Sequence, residues 1–132
     1  MINNKIETSH ILIVKDIDEA LNTLIPFYSK HNIRVIRNEE KDDFLLAQAN
    51  AAVKEAYISS NEKKYIILCG KTFRNEAQNS LLKVLEEPPL NIVFIIITSS
   101  KSSILPTIFS RMPNKFFKSE SKKTEIDLDL NN

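Results

Sequence analysis

Glycine is almost absent from this sequence, in which Gly70 is the only one among 132 residues. Loops that hold a nucleotide phosphate need glycine, because several backbone N–H groups must crowd around the anion. A chain with a single glycine has little from which to build such a loop. We therefore expect no nucleotide-binding site within this chain.

Cysteine is equally scarce, with Cys69 as its only representative. One cysteine permits neither an internal disulfide nor a cysteine-rich zinc site. The two histidines, His10 and His31, are far apart and have no neighbouring cysteine or carboxylate that would form a metal site with them. We expect a buried thiol in the reducing cytoplasm, no metal and no cofactor.

Neither sign of charge dominates, since 18 basic residues face 17 acidic ones. A general nucleic-acid or membrane-surface binder needs a dominant basic field, so the sequence argues against both classes. No apolar run approaches the roughly 18–20 residues that span a bilayer, and the first residues lack the pattern of a signal peptide. The 42% apolar and 27% charged composition is that of one globular domain. We expect a cytoplasmic protein with no membrane partner.

Short apolar runs alternate with amphipathic segments along the chain. The predicted strands are His10–Val14, Ile33–Ile36, Lys64–Cys69, Ile92–Thr98 and Asn114–Lys118. The predicted helices run from a cap at Asp16 to about His31, from Asp42 or Asp43 to about Ile58, and from Glu76 to Glu87, with a short helical turn at Leu105–Ser110. This alternation predicts an α/β fold, in which helices cover both faces of a five-stranded parallel sheet in three αβα layers.

The predicted helix at Glu76–Glu87 has the clearest apolar face, formed by Ala77, Leu81, Leu82 and Leu85. Asn75 is placed to cap its start with Gln78 as the capping partner, and two prolines end it. The helix is followed by a buried strand ending in TSS and then by LPTIFSR.

The stretch EAQNSLLKVLEEPP, the buried strand and LPTIFSR together resemble the clamp-loader branch of the AAA+ ATPases. The pattern of that family is roughly EAxNxLLKxLEEPP, a strand, and LPTIxSRC. The resemblance implies that residues 1–118 form a degenerate P-loop NTPase core of the AAA+ type. It also implies a place in the bacterial DNA polymerase III clamp loader, which loads the sliding clamp on primed DNA.

Two departures from the family pattern fall on the nucleotide site. The first strand leads into KDIDEAL, where an active member has GxxxxGK[ST], and the third ends in LCGK, where an active member has an acidic pair. A lysine cannot hold the magnesium ion that the acidic pair binds. The resemblance therefore implies a non-hydrolysing subunit with no catalytic residues of its own, inside a holoenzyme that has DNA polymerase activity.

The family's arginine is present, in the motif Ser110–Arg111–Met112, with methionine in place of the usual cysteine. The resemblance implies that Arg111 acts in trans as an arginine finger on the ATP of a neighbouring subunit. It places the subunit interface at Pro106, Thr107, Ser110, Arg111 and Met112. Considered alone, Arg111 is explained as a surface arginine that favours a helix C-terminus. Thr98, at the family's phosphate-sensor position, is expected to be structural.

The implied partners are the gamma/tau-type ATPase and delta-type subunits of the clamp loader, and indirectly the sliding clamp and primed DNA. Residues 119–132 are a polar tail or a linker toward a lid and collar region that this sequence lacks, so we expect a truncated or incomplete protein. The alternation of Ile126, Leu128 and Leu130 is a weaker hint of a clamp-binding peptide.

The main alternative is a receiver-like signalling domain or another non-catalytic α/β interaction module. Asp16, Asp18 and Thr98 superficially suit a receiver. A receiver also needs a phospho-accepting aspartate after the third strand, where this chain has Cys69–Gly70. An active small NTPase is disfavoured by the missing phosphate loop.

Overall fold

The computed structural model describes Ile2 and residues 4–117, so Lys118 and the predicted tail at 119–132 lie outside the described residues. The strands are β1 His10–Val14, β2 Ile33–Arg37, β3 Asp43–Phe44, β4 Lys64–Cys69, β5 Thr72–Phe73, β6 Ile92–Thr98 and β7 Asn114–Phe117. The α-helices are α1 Ile17–Leu24, α2 Leu46–Ala56, α3 Asn75–Glu86 and α4 Pro106–Phe109.

Five strands form one parallel sheet in the order β2-β4-β6-β1-β7. Every residue of β4 and β6 is buried, which is typical of central strands covered by helices on both faces. One face packs on α2 and α3, and the other packs on α1. The predicted three-layer α/β fold with a five-stranded parallel sheet is confirmed.

Helix α1 is shorter than the sequence predicted. Asp16 caps its start as expected, because its carboxylate accepts a hydrogen bond from the Glu19 N–H at 3.0 Å. The helix ends at Leu24 and not near His31, and a 3₁₀ turn at Ile25–Phe27 follows. Pro26 lacks the N–H that a further α-helical turn would use, which explains the early end.

A second sheet, absent from the sequence-based prediction, joins the two-residue strands β3 and β5. The sequence analysis placed a helix start at β3, which is wrong, and predicted no strand at β5. Helix α2 begins instead at Leu46, where the Gln48 side chain accepts a hydrogen bond from the Leu45 N–H at 2.9 Å. The Phe44 and Phe73 rings stack with centroids 4.5 Å apart and hold the small sheet on the core.

The single glycine lies where β4 leaves the main sheet and passes close to β3. A Cβ atom added at Gly70 would lie 3.0 Å from the Phe44 Cβ and 3.0 Å from the Thr72 carbonyl oxygen. Both of those atoms are held by paired strands, so neither can easily move away. The lack of a side chain at Gly70 therefore allows the segment after β4 to pass close to β3.

The substitution Gly70→Ala should lower the free energy of unfolding by about 1–3 kcal/mol, because the added methyl group overpacks this site. That loss exceeds the gain that alanine brings by restricting the unfolded chain. Urea denaturation followed by circular dichroism measures the change. Lys71→Ala, at an exposed neighbour, is the control and should change stability by less than about 0.5 kcal/mol. Equal stability of Gly70→Ala and wild type would contradict this packing argument.

Gln78 in α3 has a role that the sequence analysis assigned wrongly. The N-cap residue of α3 is Arg74, not Asn75, and Gln78 is not a capping partner. The Gln78 side chain is buried, with 1% of its surface exposed. Its amide nitrogen donates to the carbonyl oxygens of Phe73 and Ser103, each at 2.8 Å, and its amide oxygen accepts from the Leu105 N–H at 2.6 Å. One side chain thus joins α3 to β5 and to the residue that caps α4.

Gln78→Ala should destabilise the fold by about 2–5 kcal/mol, since it leaves three buried or partly buried backbone groups without this partner. Thermal and urea unfolding of the purified chain measure the loss. Asn79→Ala at the next, exposed position is the matched control, with an expected change below about 0.5 kcal/mol. If both variants unfold alike, the hydrogen bonds of Gln78 do not carry the stability assigned to them.

Candidate functional site

Folds with a parallel sheet usually bind ligands at its carboxyl edge, and in a nucleotide-binding protein a phosphate would lie there. A phosphate would accept hydrogen bonds from free N–H groups at the start of α1. In this chain the carboxylate of Asp16 already accepts one of them. A carboxylate at that position also repels an approaching phosphate. Both features of Asp16 disfavour an anion at the start of α1.

The end of β6 is closed by internal hydrogen bonds. Thr98 is fully buried, and its hydroxyl donates to the Lys71 carbonyl oxygen at 3.1 Å and lies 3.2 Å from the Ser103 hydroxyl. The Lys71 ammonium lies in solvent, 3.6 Å from a carboxylate oxygen of Asp42. The contacts of Thr98 are those of a structural residue that ties β6 to the loop after β4.

Cys69 is buried at the end of β4, with 2% of its surface exposed. Burial raises the pKa of its thiol to about 12, against the opposing effect of the positive charge of Arg37. The thiol is therefore protonated at neutral pH and has little nucleophilic character. Within the described residues, no group of three or more His, Cys, Asp or Glu side chains could hold a metal ion.

The two aspartates that suited a receiver domain do not form an acidic pocket. Asp16 caps α1, and Asp18 accepts a hydrogen bond from the Arg37 guanidinium at 2.7 Å. That bond contributes to the raised pKa of Arg37. The part of the chain that the structure covers contains no helix long and apolar enough to cross a membrane.

Arg111 follows the short helix α4, which two buried side chains anchor on the core. Pro106 opens the helix at a position where its missing N–H costs nothing. Ile108 and Met112 are 1% and 3% exposed and pack in the cluster that also contains α2 and α3 residues. Met112 was predicted to lie in the subunit interface, but its side chain is buried in the core of its own chain.

The other four predicted interface residues come together on one exposed face, which we call the α4 surface: Pro106, Thr107, Ser110 and Arg111. The carbonyl oxygen of Thr107 lies at its centre. It accepts hydrogen bonds from the Ser110 hydroxyl at 3.0 Å and from the Arg111 Nη1 at 3.1 Å. The backbone of α4 thus helps to orient the arginine.

A second contact orients Arg111 from outside the Ser110–Arg111–Met112 motif. Its Nε donates to a carboxylate oxygen of Glu86, the last residue of α3, at 2.8 Å. The two side chains are 41% and 52% exposed, so the pair contributes only about 0–1 kcal/mol to stability. Such a pair fixes the direction of the guanidinium more than it stabilises the fold.

Sequence reasoning missed Gln78 and Glu86 as residues that position this site. Gln78 lies three residues after Asn75, and this capping-box spacing led to its interpretation as a capping partner. Glu86 carried a signal that was not used: an acidic residue in the last turn of a helix opposes the helix dipole. In the structure the positive charge of Arg111 compensates this carboxylate.

The structure is similar to the crystal structure of a DNA polymerase III gamma subunit-related protein from Thermotoga maritima, with a TM-score of 0.70 and 20% sequence identity. The match covers 87% of this chain and 43% of that chain, and at this identity it shows the fold alone. Among curated proteins, the uncharacterized MG007 homolog of Mycoplasma pneumoniae is 43% identical over 54 residues. Those residues are 40% of this chain and 21% of the relative, so the chain spans a small part of that protein.

The sequence model of the family described as "DNA polymerase III, delta subunit" matches residues 25–120, which include α2, α3, the three strands β4 to β6 and the α4 surface. The match extends over well more than half of the chain and includes the motif that ends at Arg111. This chain belongs to the DNA polymerase III delta subunit family, a family of clamp-loader subunits.

Proposed function

We propose that this chain is the AAA+ domain of a delta-prime-type subunit, which helps to assemble the clamp-loader ring but hydrolyses no ATP itself. Its Arg111 reaches the ATP of an adjacent gamma/tau-type subunit. Its partners are that ATPase and a delta-type subunit. The assembled complex opens the sliding clamp in the bacterial cytoplasm and places it on primed DNA.

The observation that carries the proposal is the contrast between the carboxyl edge of the sheet and the α4 surface. The carboxyl edge of the sheet has the Asp16 carboxylate where a phosphate would bind and Lys71 where a magnesium ligand would stand. The α4 surface, in contrast, presents a guanidinium that is 41% exposed. An exposed, oriented arginine, in a chain whose carboxyl edge disfavours a phosphate, supports a trans-acting role without hydrolysis.

The guanidinium is chemically suited to that role. It is always charged, and its planar fork matches phosphate oxygens with two parallel N–H donors. In related phosphoryl-transfer systems an arginine finger raises the rate by roughly 10³–10⁵-fold. Thr107 and Glu86 limit its motion, so less side-chain freedom is lost when a phosphate binds.

This proposal predicts that the chain alone does not bind nucleotide. Titration with ATP and Mg²⁺ in a calorimeter should give no measurable heat of binding at protein concentrations of about 100 μM, a condition under which Kd values tighter than about 1 mM are visible. The intact gamma/tau-type subunit is the positive control. Binding of ATP to the chain with micromolar affinity would contradict the assignment as a non-hydrolysing, nucleotide-free domain.

A further prediction concerns Arg111 in the reconstituted clamp loader, with the protein at full length. Arg111→Ala should lower DNA-stimulated ATP turnover by tenfold or more, because the transferring phosphoryl group loses a positive charge. Gel filtration checks that the complex still assembles.

Arg34→Ala is the matched control for this experiment. Arg34 is also 41% exposed and also pairs through Nε with a glutamate, Glu55, at 3.2 Å, but it lies on the edge strand β2. Its loss should leave turnover within twofold of wild type. Unchanged turnover of Arg111→Ala in an assembled complex would remove the finger role and leave a purely structural subunit.

A further inference from the structure

The contacts of Arg111 divide its five N–H donors into two sets. The Nε–H bonds Glu86, and one N–H of Nη1 bonds the Thr107 carbonyl oxygen. No contact within the described part of the chain occupies the two N–H groups of Nη2 or the second one of Nη1. Both Nη2 donors and one Nη1 donor are thus available to a phosphate, which Nη1 and Nη2 can bind side by side at the distal edge of the guanidinium.

Glu86 comes from a different element than the arginine. It ends α3, while Arg111 follows α4, and the two positions are 25 residues apart. The buried side chain of Gln78 at the other end of α3 bonds the Leu105 N–H, which precedes α4. Helix α3 therefore holds α4 through Gln78 at one end and holds the arginine through Glu86 at the other.

We propose that Glu86 is a positioning residue for Arg111, which it holds by Nε so that the distal Nη edge is directed away from the chain and toward a phosphate of the neighbouring subunit. This inference rests on the proposed trans role of Arg111. Glu86 itself touches no nucleotide. It acts by restricting the rotamers of the arginine before the phosphate arrives, so its effect falls on the rate of the chemical step.

Two substitutions at this position separate its hydrogen bond from its charge. Glu86→Gln keeps an oxygen that accepts from Nε but removes the negative charge, whereas Glu86→Ala removes both. Glu87→Ala is the matched control, because Glu87 is the neighbouring, exposed carboxylate, and its only bond described here is a backbone bond to Lys83. Since Glu86 is itself half-exposed, none of the three changes should disturb folding, and thermal unfolding verifies this.

The test measures DNA-stimulated ATPase of the reconstituted clamp loader with full-length protein. Glu86→Ala should lower kcat by about three- to tenfold, because the freed arginine must be ordered during each turnover. The KM for ATP should stay within twofold, since the ATP is held by the other subunit. Glu86→Gln should lose less than Glu86→Ala, and Glu87→Ala should match wild type.

A double-variant comparison distinguishes failure of this inference from failure of the proposed function. With Arg111→Ala already present, adding Glu86→Ala should cause no further loss, because Glu86 acts only through the arginine. If Arg111→Ala is impaired but Glu86→Ala is not, only the positioning role is overturned. A further loss in the double variant would show a separate structural role and would also overturn it. If Arg111→Ala itself is unimpaired, both the proposed function and this inference fall.

Discussion

The burial of β4 and β6 on both faces is the constraint on which the other elements depend. All thirteen residues of these two strands are buried, so helices must cover the sheet on each side. Parallel strands also need crossover connections, which bring α2 and α3 side by side over one face. Helix α3 can then serve as the platform on which α4 is seated. The position of Arg111 therefore follows from the core of the chain through the packed helices α3 and α4.

Polar contacts between α3 and α4 define the orientation of α4 and of Arg111. Apolar packing of Ile108 and Met112 holds α4 on the core but is not directional. The hydrogen bond from the Leu105 N–H to the buried amide of Gln78 adds a directional constraint, because leaving such a group without a partner is costly. Farther out, Glu86 and the Thr107 carbonyl oxygen act on an exposed side chain, where each bond is individually weak. Strong constraints thus lie in the interior and weak ones at the surface, where an arginine must still adjust to a partner.

The elements that sequence reasoning located well are those whose signal is local. The bounds of β1, β4 and β6 agree with prediction, because an uninterrupted apolar run is itself the cause of a doubly buried strand. The two-residue strands β3 and β5 were missed because each is defined only by its pairing with the other, across a separation of 29 residues. Pairings between distant residues also account for the misread Gln78 and the overlooked Glu86. The α4 surface was located by a motif resemblance, whereas the burial of the adjacent Met112 could be seen only in the packed core.

The chemistry of phosphoryl transfer between subunits separates naturally into two structural requirements. A phosphate cradle needs several converging backbone N–H groups and a flexible, glycine-rich loop at the carboxyl edge of the sheet. A trans-acting arginine needs only a rigid supporting element and a guanidinium that points toward the neighbouring subunit. In this chain the carboxyl edge is closed by the Asp16 cap and the Thr98 hydrogen bonds, while the support of Arg111 depends on α3 and α4. The side chain and carbonyl group that bond Arg111 belong to α3 and α4 and not to the segment after β1, so the second requirement does not depend on the first.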